Sequence, residues 1–143
     1  ALAFYDKDKV LFGDDPFRSN HDGHIGANFE QITYLHNTDP ANYYTNIIVT
    51  PESPSVYDAN GENGDTGWGI KLVYGERRPS ETEWDLVRSG DSLSIPDIGD
   101  TVLADTYTYH PIWVRVISPG NTDAQIRETT QLRVSYYVRK VGA

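Results

Sequence analysis

The segment that most constrains the fold is TQLRVSYYVRKV, residues 130–141, because apolar and polar residues alternate along it. Successive side chains of a β-strand point to opposite faces of the sheet. The apolar face of this segment would be formed by Leu132, Val134, Tyr136 and Val138. The pattern predicts a strand with one face in the core and the other, which carries Tyr137, exposed.

Comparable strand-forming runs recur along the chain and are separated by turn residues. They are FEQITYLHN (29–37), NYYTNIIVTP (42–51), WGIKLVYGE (68–76), DSLSIPDIGD (91–100) and YTYHPIWVRVISP (107–119). In the second run, alternation places Tyr43, Thr45, Ile47 and Val49 on one face. Short strands at such spacing, without a βαβ rhythm, are typical of antiparallel sandwiches and barrels. We predict an all-β fold, an antiparallel sandwich of the immunoglobulin-like or jelly-roll-like kind with about seven strands.

One segment predicts a short helix. In SETEWDLVRSG, residues 80–90, Ser80 can cap the helix while Glu83 bonds back to the backbone of Ser80, which completes a capping box. Ser89 and Gly90 end the run, so we expect two turns at most. Trp84 is expected to pack this helix onto the sheet.

The first 28 residues differ in composition from the remainder of the chain. Short apolar clusters stand among Asp, Asn, Gly and His without a sustained period. We predict an extended N-terminal arm over residues 1–28, with at most a short strand at residues 10–12, and a sandwich domain over residues 29–143. A frayed tail is the alternative. The residues expected to bind a partner are Phe4, Tyr5, Val10, Leu11, Phe12 and Phe17.

Composition excludes several classes of protein. The chain of 143 residues has no cysteine, which excludes disulfides and thiolate metal sites. Its 12 basic and 21 acidic residues give a net charge of −9, which argues against binding to nucleic acid. No apolar run has the length of a membrane span, so we predict a soluble protein without membrane contact.

No motif supports a catalytic or metal site. His21 and His24 are three residues apart, but a zinc site needs three or four rigidly held ligands. The loop DANGENGD, residues 58–65, lacks the glycine and the final acid of a helix-loop-helix calcium site, although an irregular calcium site remains an alternative. Asp105 and His110 have no serine placed beside them by a motif. We therefore predict no enzymatic activity and no cofactor.

The segment YHPIWVRVISP, residues 109–119, does not decide which of its faces is buried. Trp113 and Arg115 share the face opposite the apolar stripe. We expect this face to lie against a second sheet, where Arg115 requires an acidic partner; if Arg115 has no such partner, the face is an interface, together with Tyr137. The three Trp and ten Tyr residues also allow a sugar-stacking platform, with burial of the Trp residues as the alternative.

The series TNIIVTP, TGWGIKLVYGE, SETEWDLVRSGDSLSIPDIGD, DTYTYHPIWVRVISP and LRVSYYV resembles small β-sandwich virion proteins of tailed bacteriophages and prophages. In those proteins a Trp-containing helix precedes an Ile-Gly turn, and a Pro-aromatic-Val-Arg-Val strand follows an Asp-Thr pair. The matching positions are Trp84, Ile98–Gly99, Asp105–Thr106 and Pro111–Val116. The resemblance covers residues 40–140, roughly, and leaves the N-terminal arm outside.

The resemblance implies a role in the outer parts of a virion that is assembled in the host cytoplasm. We expect a non-enzymatic structural protein, with capsid decoration (a cement protein) ahead of a tail or baseplate role. Its partners would be the major capsid protein or a tail protein, and it would act as a homo-oligomer whose arm reaches a neighbour. A carbohydrate-binding module is the alternative, and a hydrolase has the least support.

Overall fold

The computed structural model describes residues 1–12, 19–21, 27–52, 69–118, 125–127 and 131–142. In chain order its elements are β1 Leu2–Tyr5, β2 Ser19–His21, β3 Ala27–Asn37, β4 Asn42–Glu52, β5 Gly69–Tyr74, α1 Glu81–Asp85, β6 Leu93–Ile95, β7 Tyr109–Ser118, β8 Gln125–Arg127 and β9 Gln131–Lys140. A four-stranded sheet has the order β1-β3-β7-β5, and a three-stranded sheet has the order β6-β4-β9. All pairings are antiparallel, and β2 and β8 form a separate two-stranded ribbon. The predicted all-β sandwich with one short helix is confirmed.

The core lies between the two main sheets. The four-stranded sheet supplies Leu35, Ile70, Leu72, Ile112, Val114 and Val116, and the three-stranded sheet supplies Tyr44, Ile47, Val49 and Ile95. Leu132, Val134 and Tyr136 of β9 pack against this cluster, as their alternation predicts, but Val138 of the same predicted face is exposed at the end of the strand. Branched aliphatic residues dominate because they favour the extended backbone and fill the space between pleated sheets.

A bulge in β4 changes which residues of that strand face the core, compared with the sequence prediction. The register against β9 shifts between Thr45 and Ile48, and Asn46 has a positive φ of 53°. The extra residue reverses the alternation, because a one-residue shift exchanges the two faces of a strand. Tyr44 therefore joins Ile47 in the core, and the predicted single face that began at Tyr43 is wrong.

The first residues of the chain are built into the sandwich. Strand β1 pairs with β3 over Leu2–Tyr5, and Phe12 N–H returns to Phe4 C=O at 3.1 Å to form a hairpin. Phe4 and Phe12 pack against the core of their own chain, whereas Val10 and Leu11 are exposed. Residues 1–12 therefore differ from the predicted extended arm, because their apolar side chains find a site on the same molecule.

An aromatic cluster anchors this hairpin to the outer face of the four-stranded sheet. The ring of Tyr5 meets His36 and Tyr109 edge-on, each at 5.4 Å between centroids. His36 and Tyr109 stack on each other at 3.9 Å. The ammonium of Lys9 lies 5.4 Å from the rings of both Tyr34 and Tyr109, at cation–π distance.

Candidate binding surfaces

Arg115 lies on the outer face of the four-stranded sheet, beneath helix α1. Only 5% of Arg115 is exposed. Its guanidinium donates to Glu30 at 2.6 and 3.0 Å and to Glu81 at 2.6 and 3.1 Å. The acidic partner expected for a buried Arg115 is therefore present, but the cover is a helix and not the second sheet. In this arrangement Arg115 has no surface to offer to another protein.

Helix α1 covers the charged cluster of Arg115, Glu30 and Glu81. The helix begins at the capping residues that the sequence predicts. Ser80 Oγ accepts from the Glu83 N–H, and the Glu83 side chain accepts from the Ser80 N–H, so the capping box is confirmed. The Trp84 side chain is fully buried, with its ring 4.9 Å from the guanidinium carbon of Arg115. Lys71 on β5 ties the helix down by donating to the Trp84 C=O at 3.0 Å.

The charges of this cluster reinforce one another. Burial alone would raise the pKa of Glu30, but hydrogen bonds from Arg115 and Arg78 outweigh burial and hold that pKa below its usual value. The bond to Glu81 and then those to Glu30 raise the pKa of Arg115 despite its burial. Glu30, Glu81 and Arg115 therefore stay charged at neutral pH, and the cluster is a structural one.

Trp113, two residues before Arg115, forms part of a shallow groove on the same face. The cavity has a volume of about 460 Å³. It is lined by Asp6, Lys7, Phe29, Glu30, Gln31, Ile32 and Trp113. Trp113 is partly exposed, and its indole N–H donates to the Glu76 C=O at 3.1 Å, which fixes the ring. The groove combines an aromatic wall with carboxylate and amide groups, a composition found in ligand-binding clefts.

A second surface is the outer edge of β9, the side of that strand that faces away from β4. Tyr44 and Ile98 exchange both backbone hydrogen bonds, each of 2.9 Å, so the N–H and C=O of Tyr44 point away from β9. Val138 lies opposite Tyr44, and facing residues that exchange no bond both direct their backbone groups outward. The N–H and C=O of Val138 therefore point away from the sheet. Val141 is an odd number of residues from Val138, so its backbone groups should point toward β4. Its N–H does donate to the Ala41 C=O at 3.0 Å.

This edge is long and apolar in part. Alternation extends the outward direction from Val138 to Val134 and Tyr136. Within the described residues, β9 ends the sheet, and no strand lies beyond it. Tyr137 is 59% exposed and Val138 is 56% exposed. Of the predicted interface residues, Tyr137 is thus the one that lies open on the surface.

The other edges of the main sheets are shorter or partly covered. Residues 10–12 fold back over β1, with a bridge between Tyr5 and Leu11. On β5, the Ile70 C=O already accepts the Gly90 N–H at 2.8 Å, and β6 has only 3 residues. Of these edges, the outer edge of β9 is the longest in the described part of the chain, and the part of β3 before Tyr34 also extends beyond β1.

Asp105 and His110 are the remaining sequence candidates among the described residues. His110 is buried, with its Nδ1 3.3 Å from the Tyr74 hydroxyl and its Nε2 3.6 Å from Asp105 Oδ2. Burial lowers the pKa of His110, although the nearby Asp105 acts in the opposite direction. Across the described ranges, no group of three His, Cys, Asp or Glu residues is placed to hold a metal ion.

Several predicted residues cannot be placed. Phe17, His24, Trp68 and the loop 58–65 lie outside the described residues, as does the side chain of His21. Among the helices that the structure describes, none has the length and apolar character needed to span a bilayer.

Sequence reasoning missed the features of the Trp113 groove and of the β9 edge that depend on which strands pair. Glu30 and Ile32 became neighbours of Arg115 and Trp113 only through the β3–β7 register. Strict alternation identified the two faces of β9, but alternation does not show which strand lies at the edge of a sheet. The comparisons with protein-family models, with curated proteins and with solved structures find no match to this chain.

Proposed function

We propose that this protein is a non-enzymatic structural subunit of a tailed-bacteriophage virion and that it binds another virion protein through the outer edge of β9. The observation that carries the proposal is a strand of 10 residues whose outward backbone groups meet no other described strand. An unpaired edge is a template for a strand from another chain, because backbone hydrogen bonds supply affinity without a preformed pocket.

The fold agrees with the virion proteins that the sequence resembles. Decoration of the capsid remains ahead of a tail or baseplate role, with the major capsid protein or a tail protein as the partner and with homo-oligomers on the particle. The docking residues change, however. Phe4 and Phe12 pack within their own chain, so Val10 and Leu11 are the apolar hairpin residues that remain exposed for a partner.

Particles of the phage or prophage that encodes the chain test this proposal. The protein should co-purify with tailed particles on a density gradient and be detected in them by mass spectrometry. A V138P chain supplied in trans should be excluded, because proline removes an outward N–H while leaving the bonds to β4. The V138T chain keeps the N–H and is the control. Absence of the wild-type chain from particles, or equal incorporation of V138P, would overturn the proposal.

The groove beside Trp113 favours a second candidate function, binding of a carbohydrate. A fixed, partly exposed indole ring offers an apolar face to a sugar, and Asp6 and Gln31 offer polar groups beside it. Host polysaccharides should then shift the tryptophan fluorescence of the wild-type chain. The shift should vanish in W113A and persist in Y137A. Identical spectra with and without each polysaccharide would exclude this function for the glycans tested.

A further inference from the structure

The outer edge of β9 differs in charge from the molecule that carries it. Arg133, Arg139 and Lys140 are basic, and the segment Leu132–Lys140 contains no acidic residue. The whole chain nevertheless has a net charge of −9. The edge is therefore a place where this acidic protein can attract an acidic partner, against the repulsion expected from its net charge.

The guanidinium of Arg139, near the end of β9, is held in place beside the exposed aromatic ring. Arg139 Nε donates to Thr45 Oγ1 at 3.0 Å, and the guanidinium carbon lies 5.9 Å from the centre of the Tyr137 ring. An arginine that is already positioned loses less side-chain freedom when a carboxylate binds it. The face around Tyr137 and Arg139 is thus suited to carboxylates from a neighbouring strand.

From this we infer that the outer edge of β9 receives an extended segment of the partner protein that is rich in Asp and Glu. The inference rests on the proposed function, since it names the kind of segment that the same edge binds. The backbone of the added strand would bond to the outward N–H and C=O groups at Val134, Tyr136 and Val138. Its acidic side chains would lie on the face of Arg139 or on the opposite face, that of Lys140, since opposite charges on neighbouring strands stabilise pairing.

A second copy of β9 fits this edge poorly. Antiparallel self-pairing centred on Tyr136, which brings the outward backbone groups of both copies together, places Arg133 opposite Arg139. Like charges directly opposite each other destabilise a strand pair. The charge pattern therefore opposes a dimer in this fully overlapping register and favours a different chain.

Synthetic peptides test the inference directly. The probes are fluorescein-labelled peptides of alternating Glu and Val, and of alternating Lys and Val, with the length of the 10 residues of β9. Fluorescence anisotropy at low salt should show the Glu peptide binding the wild-type chain about tenfold more tightly than the Lys peptide, as expected for a few opposite-charge pairs. Raising the salt concentration should weaken this preference.

Two variants separate charge from backbone pairing. The double variant R139E/K140E keeps the edge and should lose the preference for the Glu peptide. The V138P variant should bind neither peptide, whereas V138T should bind as the wild type does. Urea unfolding of each variant checks that the loss of binding is not a loss of folding.

The outcomes distinguish this inference from the proposed function. Equal binding of the two peptides, or no binding of the Glu peptide, would overturn the acidic partner even if V138P is excluded from particles. A wild-type dimer in light scattering that becomes a monomer in V138P would overturn it as well, in favour of a second copy. Normal incorporation of V138P into particles would instead overturn the proposed function itself, which is binding through the outer edge of β9.

Discussion

Arg115 shows how a single side chain can decide the structure of a sheet face. It occupies a position where an exposed strand ordinarily carries a small polar residue, and it is held by carboxylates from β3 and α1 and by the ring of Trp84. Desolvating a guanidinium is costly, and these partners together offset the cost, with the partly buried Glu30 contributing more than the exposed Glu81. The helix is therefore fixed at this position by charge as well as by apolar contact.

Replacing Arg115 tests this dependence. R115M should lower the free energy of unfolding by about 3 kcal/mol, because Glu30 would be left partly buried with Arg78 as its remaining partner. E81Q is the matched control and should cost far less, since the Glu81 side chain is 73% exposed. Urea unfolding followed by circular dichroism measures both. An R115M midpoint equal to that of E81Q would show that the cluster does not stabilise the fold.

Gly99 is required for a different reason, its backbone conformation and its close neighbour. It has a φ of 85°, and a Cβ added there would lie 2.4 Å from the Ala104 C=O oxygen. G99A should destabilise the protein by about 2 kcal/mol, from strain and from displacement of that carbonyl. Gly142 has a φ of 83° but nothing within 4 Å, so G142A measures the strain alone. Equal unfolding midpoints for the two variants would contradict the steric argument.

Among the elements, the N-terminal hairpin illustrates how a docking segment can serve its own chain. Strand β1 extends the four-stranded sheet, and residues 10–12 then fold back over it. The apolar clusters that suggested an arm are the same ones that attach the hairpin. What the hairpin leaves exposed is its tip and the side chains of Val10 and Leu11.

Removing the hairpin should therefore affect folding and not only assembly. Deletion of residues 1–12 is expected to lower the thermal unfolding temperature and to increase binding of an apolar dye, because the edge of β3 and part of the core become exposed. The double variant V10S/L11S changes exposed side chains and should remain within about 0.5 kcal/mol of the wild type. A truncated chain that unfolds like the full chain would restore the separate arm predicted from sequence.

Elements whose signals are local were predictable from the sequence. The capping box at Ser80 and Glu83 defined α1, and alternation defined the inward face of β9. The bulge at Asn46 was not predicted: asparagine adopts a positive φ more readily than most residues, but a single Asn within a strand-forming run does not specify a bulge. The burial of Arg115 and the groove at Trp113 depend on which strands pair and on where the helix lands, and the alternation within one strand contains neither kind of information.

At the scale of the whole molecule, acid should destabilise the fold in two stages. Burial lowers the pKa of His110 below the usual histidine value of 6.5, so the unfolded chain binds this proton at a higher pH than the folded chain does. The pKa of Glu30 is lowered from 4.5 and that of Asp105 from 3.8, through hydrogen bonds that outweigh burial in each case. Stability therefore declines as the pH falls below about 6.5, and again below about 4.5.

Substitution of His110 isolates the first stage. H110Q should show nearly the same unfolding midpoint in urea at pH 7.5 and at pH 5.5, while the wild type loses stability between them. Both chains should still lose stability below about pH 4.5, where the carboxylates become protonated. A decline between pH 7.5 and 5.5 that is unchanged in H110Q would assign the first stage to another group.

The pairing of β4 with β9 has a consequence for how the chain folds. Arg139 and Thr45, which bond across this pair, are 94 residues apart in sequence. Closing so long a loop costs entropy before any contact repays it, and proteins with many such distant contacts fold slowly. During synthesis β4 emerges from the ribosome well before β9. The edge of β4 that pairs with β9 therefore has no partner until β9 is available. We therefore expect the three-stranded sheet to be completed late in folding, and its completion also creates the outer edge of β9.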